Sequence, residues 1–290
     1  MDPVNRGVAR TPADATEASA GVPLDVMLAE TRRAFDSVAE VYDGPRGNNA
    51  LVQRMREFSW RLISRYARPV SRLLDIGCGT GIDALHFVTQ GHSVCATDTS
   101  GGMIARATAL ASERGLSDRV DWRQLGAQEL NRLEGTFDVA YSNFGALNCV
   151  PDLRQFAREC ARVLAADGHM VFTVIGRVCP WELGYYLLQG RARRARVRFA
   201  RDMTAVGLNR HTAWVRYYTP REFYRYLADH FELVSHQALS LWMPPPYLLA
   251  WYERHARLGR ALGWLDDHTG GWPLLRGAGD HFLMVLRKRH

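Results

Sequence analysis

The stretch Leu73-Leu74-Asp75-Ile76-Gly77-Cys78-Gly79-Thr80-Gly81 is an apolar strand that runs directly into three glycines at alternate positions. A strand can turn sharply into a helix only where residues accept positive φ or let a ligand reach the backbone, and glycine does both without steric cost. N–H groups at the start of the following helix lack intrahelical partners and carry partial positive charge. Such a loop suits an anionic or polar ligand lying across it. Seventeen residues beyond Gly81, Asp98 closes a second strand, Ser93-Val94-Cys95-Ala96-Thr97. An acid at that place accepts bonds from ribose hydroxyls. The pattern predicts a doubly wound α/β fold that binds a nucleoside-containing cofactor.

Spacing narrows the cofactor. A dinucleotide loop needs Gly-x-Gly-x-x-Gly, but Ile82 stands where its third glycine would be. No Lys-Ser or Lys-Thr pair follows, so a P-loop is excluded. The stretch from Leu73 to Gly81 instead resembles motif I of the class I S-adenosylmethionine-dependent methyltransferases. Phe35-Asp36-Ser37-Val38-Ala39-Glu40-Val41-Tyr42-Asp43 is similar to the N-terminal cap segment of their small-molecule, ubiquinone-biosynthesis-like branch (methyltransferase type 11-like).

That resemblance implies S-adenosyl-L-methionine as cofactor and a Rossmann-like, seven-stranded sheet whose last strand is antiparallel. It covers roughly residues 35–288 and is most specific from 73 to 175. The motif I residues Asp75, Gly77, Cys78, Gly79, Thr80 and Gly81 would contact the cofactor, with Asp75 near its amino group. Asp98, followed by Thr99, would hold the ribose; Met103 would pack on adenine; Tyr42 would close over the whole. The family's third motif usually carries an acid for the adenine amino group, but here Gly126 occupies that place. Adenine would then be read by backbone groups around Ala127 or by Gln128. Asn143 and Phe144 follow the fourth strand, where the transferable methyl group should lie. Enzymes that methylate nucleic-acid amino groups place an Asn/Asp/Ser-Pro-Pro-aromatic motif there, and Ser142-Asn143-Phe144-Gly145 is not one. Pro244-Pro245-Pro246-Tyr247 has the look of that motif but lies after the sixth strand, where it reads as a rigid entry to a lid.

Short apolar runs alternate with helical patterns, as a sheet covered on both faces requires. Residues 1–22 are rich in Ala, Thr, Pro and Gly without periodicity, so a disordered tail is expected. The remaining divisions are a helical cap at 23–70, the cofactor-binding core at 71–176 and an arginine-rich insertion or lid at 177–216. A core helix and sixth strand occupy 217–241, an aromatic-rich lid 242–278, and the last strand with a basic tail 279–290.

The net charge of +7 is concentrated. Residues 191–201 contain Arg191, Arg193, Arg194, Arg196, Arg198 and Arg201 and no acid. On a continuous helix Arg191, Arg194, Arg198 and Arg201 would share a face. Such a face could meet RNA phosphates or anionic lipid, or could simply be solvated. The RNA reading, or a non-catalytic cofactor-binding partner protein, is the alternative to an enzyme.

Five scattered cysteines without Cys-x-x-Cys spacing read as reduced thiols and not as a disulfide frame or zinc site. Asp266-Asp267-His268 lacks a partner at ligand spacing, so no metal is expected. With no export signal or spanning segment, the expectation is a cytoplasmic protein with at most peripheral membrane contact.

Methyl transfer needs alignment above all, and orientation alone supplies ~7–11 kcal/mol in favourable cases. A base adds about 10²–10⁴-fold where the acceptor must lose a proton. His211, His268 and His281, in or beside the insertions, are the candidates. Trp181, Tyr185, Tyr186, Trp242, Tyr247, Trp251, Trp264 and Trp272 crowd the same insertions. Aromatic and apolar lining is the usual design for small-ligand pockets. The expected activity is methylation of a small molecule with an aromatic or apolar body, such as a secondary metabolite or a quinone- or lipid-like compound.

Overall fold

A computed structural model describes residues 21–45 and 47–289, and most of the tail expected at 1–22 lies outside them. The cap begins with α1 (Leu24–Asp36), which buries Met27, Thr31 and Ala34. In α2 (Ala50–Tyr66) Asn49 is the N-cap, its side-chain oxygen accepting from the amides of Leu51 and Val52. That bond satisfies donors the first turn would otherwise leave unpaired.

The core then alternates strand and helix: β1 (Arg72–Ile76), α3 (Ile82–Thr89), β2 (Ser93–Asp98), α4 (Gly101–Glu113), β3 (Val120–Gln124), β4 (Phe137–Ser142) and α5 (Leu153–Val163). The fifth strand, β5 (Leu164–Ile175), begins directly after α5, and its register against β4 shifts between Phe137 and Val139. Asp167-Gly168 lies inside this strand.

Beyond β5 come α6 (Pro180–Leu188), the single-turn α7 (Ala192–Ala195), β6 (Thr204–Leu208) and β7 (His211–Val215). The chain closes with α8 (Pro220–Leu227), β8 (Phe231–Leu239), α9 (Leu249–Arg254), α10 (Ala256–Thr269) and β9 (His281–Lys288). Seven strands form one sheet in the order β3-β2-β1-β4-β5-β9-β8. Strands β3 to β5 pair in parallel, and β9 runs antiparallel to both its neighbours. Strand order reverses between β1 and β4, and a crevice at the carboxyl ends of strands flanking such a switch point is where these sheets hold ligands. One apolar cluster, including Phe156, Phe172, Phe223 and Phe282, packs one face of the sheet. Another, with Ile63, Phe87, Tyr141 and Leu283, packs the opposite face.

The arginine segment corrects one expectation. It is not a continuous helix but one α-turn, Ala192–Ala195, and a 3₁₀ turn, Val197–Phe199. The face supposed to join Arg191, Arg194, Arg198 and Arg201 does not exist. Arg198 is buried, donating to the carboxylates of Glu182 (2.7 Å) and Asp280 (2.6 Å) and to the carbonyls of Gly176 and Asp280. It ties the insertion to the start of β9.

A hairpin also lies inside that insertion. β6 and β7 pair antiparallel across Asn209-Arg210, both at positive φ (45° and 66°), as a two-residue hairpin turn requires. The hairpin packs on α1, where Trp214 donates to Thr31 and Glu30 and Asn209 to the carbonyl of Ser37. Cap and first insertion are thus one layer over the switch point. Among the described residues no helix is long and apolar enough to cross a membrane.

Candidate active site

Two cavities meet at the carboxyl ends of β1 and β4. The smaller, about 160 Å³, is lined by Gly77, Gly79, Asp98, Thr99, Met103, Gly126, Ala127, Gln128, Asn143, Phe144 and Tyr42, all expected from sequence. Leu125, Cys149 and Ile175 also line it and were not expected. The larger, about 1090 Å³, reaches Cys78 and Thr80 on one side and the two insertions on the other. Both are bordered by Tyr42, Gly77, Gly79, Asn143, Phe144 and Ile175, so they adjoin.

Asp98 is built into the loop it faces. Its carboxylate accepts from the amides of Gly79 (2.9 Å) and Ser100 (2.8 Å), which leaves further lone pairs on both oxygens. Burial lifts this carboxyl to about 6, and the Ser100 and Gly79 amides hold it from rising further. Gly79 has φ +55, and a Cβ there would meet nothing nearer than the Tyr42 ring at 3.9 Å. The space above it is free for a ligand. Gly81, at φ +81, differs: a Cβ would collide with the Trp122 ring, so this glycine serves helix–sheet packing.

Residues 74–172 match the methyltransferase domain family. A ubiquinone biosynthesis O-methyltransferase from Bradyrhizobium sp. (strain ORS 278) is 26% identical over 224 residues, 72% of this chain and 82% of that protein. The 27-O-demethylrifamycin SV methyltransferase of Amycolatopsis mediterranei (strain S699) is 30% identical over 154 residues, 49% of this chain and 56% of that one. Among solved structures, Burkholderia thailandensis 1,6-didemethyltoxoflavin-N1-methyltransferase, with 1,6-didemethyltoxoflavin and S-adenosylhomocysteine bound, has a TM-score of 0.59 at 21% identity. That likeness covers 96% of this chain and 94% of the other. Residues 74–172 thus form a methyltransferase domain of the class I S-adenosylmethionine-dependent kind.

Not every residue expected at the site of this methyltransferase faces a cavity. Asp75 and Gly81 line neither. Asp75 is sealed beneath the loop, its Oδ2 buried without a hydrogen-bond partner. Burial, with the Asp83 charge nearby, raises its carboxyl well above the usual range.

Sequence reasoning missed Asp83, which organises the junction. It accepts from the Arg56 guanidinium, from Trp60 Nε1 (2.7 Å) and from Asn143 Nδ2 (2.8 Å). Asn143 in turn accepts from the Ser59 hydroxyl (2.6 Å). The next residue, Phe144, sits at φ +57, a left-handed conformation unfavourable for a bulky side chain. It is held there by the Thr173 hydroxyl, which accepts its amide at 2.6 Å, and by Arg56 lying 4.8 Å from its ring centroid. Nothing local in the sequence marks Asp83, because its partners come from α2 and from the end of β4.

The three candidate histidines separate. His211 is exposed at the hairpin turn, and His268 is exposed on α10 with Nδ1 2.7 Å from the Trp264 carbonyl. Neither lines the two cavities, because the insertions turn those positions outward. His281 does line the larger one. Its Nδ1 is 3.1 Å from Asp280, and its ring is 6.2 Å from that of Phe144, edge to face. Burial works against ionisation of Asp280, yet Arg198 and His281 hold its carboxyl well below the usual range.

Cys179, Glu182 and Asp280 bring one thiol and two carboxylates within 4.8 Å of one another. The cation at that cluster is the Arg198 guanidinium, bonded to both carboxylates. Asp266, in the supposed metal corner, accepts the amides of Leu241, Trp242 and Met243, while Asp267 pairs with Arg54 and His268 turns to the helix backbone.

Proposed function

We propose that the chain transfers the methyl group of S-adenosylmethionine to a small molecule with an apolar or aromatic body held in the larger cavity. The observation that carries this reading is that the two cavities adjoin, sharing Asn143 and Phe144 as wall. A second chamber of about 1090 Å³ beside a nucleoside-sized crevice has room for an acceptor. The lining suits an apolar body: Val52, Met55, Phe144, Leu208, Tyr247 and Leu249 contribute. The likeness to quinone- and antibiotic-modifying methyltransferases supports the same class of acceptor.

The residues fit the cofactor. Asp98 has free acceptor capacity for two ribose hydroxyls, and Gly79 leaves the cradle that a side chain would fill. Met103, Leu125 and Ala127 offer apolar surface to adenine. The Gly126 amide already donates to Glu129 (2.9 Å), so polar reading of adenine passes to Ala127 and Gln128. Bound there, the cofactor supplies a methyl carbon activated by a sulfonium. The protein's part is alignment and the exclusion of water. Tyr42 and Phe35 roof the junction, Asn143 and Phe144 form its floor, and His281 is placed to accept a proton from an acceptor hydroxyl.

A structure with S-adenosylhomocysteine bound tests the assignment. Its ribose should meet Asp98, and its sulfur should lie beside Asn143 and Phe144, facing the larger cavity. A sulfur directed away from that cavity would overturn the acceptor site.

A further inference from the structure

The arginine segment has an unusual surface. Leu187, Leu188 and Phe199 are 52, 91 and 45% exposed, at the two ends of a stretch whose other exposed side chains include Arg191, Arg193, Arg196 and Arg201. No acid occurs between Leu187 and Arg201. Removing the six arginines of 191–201 from the net charge of +7 leaves 7 − 6 = +1 for the rest of the chain. With Arg198 buried against Glu182 and Asp280 and Arg194 half-buried, the outward charge comes from Arg191, Arg193, Arg196 and Arg201.

Solvation explains the arginines but not a leucine almost wholly in water beside a second, half-exposed one, with Phe199 exposed at the other end of the segment. Single-stranded RNA would be served by a series of flat aromatic platforms along a basic groove, and this segment exposes one aromatic, Phe199. A surface that joins apolar side chains to several cations along an acid-free run of sequence is complementary to an anionic phospholipid bilayer. The apolar groups enter the boundary of the acyl chains while the cations sit among the phosphates. Tight-binding peripheral segments need both signals, and this one has both.

We infer that the tip at Leu187–Arg201 docks on anionic lipid bilayers and sets the mouth of the larger cavity against the membrane. Arg191 and Arg194 belong at once to this segment and to the cavity lining, so the docked face borders the chamber. An apolar acceptor dissolved in the bilayer then reaches the chamber without crossing water. The delivery half of this inference rests on the function proposed above; the docking half does not.

Sedimentation of the full chain with vesicles of phosphatidylglycerol and phosphatidylcholine, against phosphatidylcholine alone, tests it. Binding should be selective for the anionic vesicles and fall steeply with salt. Each surface cation contributes about fivefold in affinity, so Arg193→Glu with Arg196→Glu should weaken binding more than tenfold, and Leu188→Asp should weaken it separately. None of these residues lines a cavity, so S-adenosylhomocysteine affinity, titrated in the same samples, should stay unchanged. Absence of vesicle binding, equal binding to both vesicle types, or variants that bind as wild type would overturn the inference. Tighter binding to an RNA oligonucleotide than to the vesicles would do so too. Vesicle binding without cofactor binding would leave the docking surface standing and remove the proposed function.

Discussion

Asp98 should give folding and cofactor binding opposite pH dependences. Burial places its carboxyl near 6, above the ordinary 3.8. Its stabilising contribution to the ligand-free fold is therefore complete below about 3.8 and is lost as pH rises through about 6. Ribose hydroxyls bond the ionised form, so affinity should be full above pH 6 and weaken below it. Between pH 7 and pH 5 the dissociation constant of S-adenosylhomocysteine should rise roughly tenfold, and a flat calorimetric profile would contradict this role. The glycines give a second contrast. Gly79→Ala at φ +55, with only Tyr42 at 3.9 Å, should cost about 1–2 kcal/mol of stability and most of the cofactor affinity. Gly81→Ala adds a clash with Trp122 and should cost about 2–5 kcal/mol in denaturant melts. Equal stability losses would refute the distinction. At this scale the loop and Asp98 were legible because their requirements are local: a backbone conformation and a strand end. The burial of Asp75 was not legible in the same way, since sequence places it in a strand but does not show which way its side chain is sealed.

Elements are joined to the site by buried polar links that sequence spacing does not reveal. α2 meets α3 through Arg56, Trp60 and Asp83, and meets the end of β4 through Ser59 and Asn143. Removing one partner of a buried ion pair leaves the other charge uncompensated, at about 3–5 kcal/mol. Asp83→Ala should therefore lower stability by that order in urea melts, and a loss under about 1 kcal/mol would show that the network does not hold the junction. The β6–β7 hairpin escaped notice because its turn is Asn209-Arg210. An Asn-Gly pair would have announced it, whereas arginine at positive φ is a tertiary imposition made by the packing of Trp214 and Asn209 on α1. The arginine helix failed for a related cause: burial of Arg198 between Glu182 and Asp280 outweighs the helical periodicity of its neighbours.

The whole molecule divides into a sheet whose order could be expected and a roof whose shape could not. The parallel strands, their switch point and the antiparallel β9 follow from short apolar runs and from the family resemblance. The roof is made from α1, α2, the hairpin and the two insertions, whose mutual contacts reach across 209 residues of chain. Asn49 donates to the carbonyl of Pro246, and Arg54 to that of Gly263. Such links specify the acceptor chamber, which is why the cofactor could be read from nine residues and the acceptor's cavity only from coordinates. Everything above depends on the crevice at Gly79 and Asp98 holding S-adenosylmethionine. Isothermal titration of the full chain with S-adenosylhomocysteine addresses that directly. One site in the micromolar range is predicted, with a loss of roughly 100-fold in Asp98→Ala, the value of two hydrogen bonds to a charged group. Folded protein that takes up no S-adenosylhomocysteine, or an Asp98→Ala variant that binds it as tightly as wild type, would contradict the account.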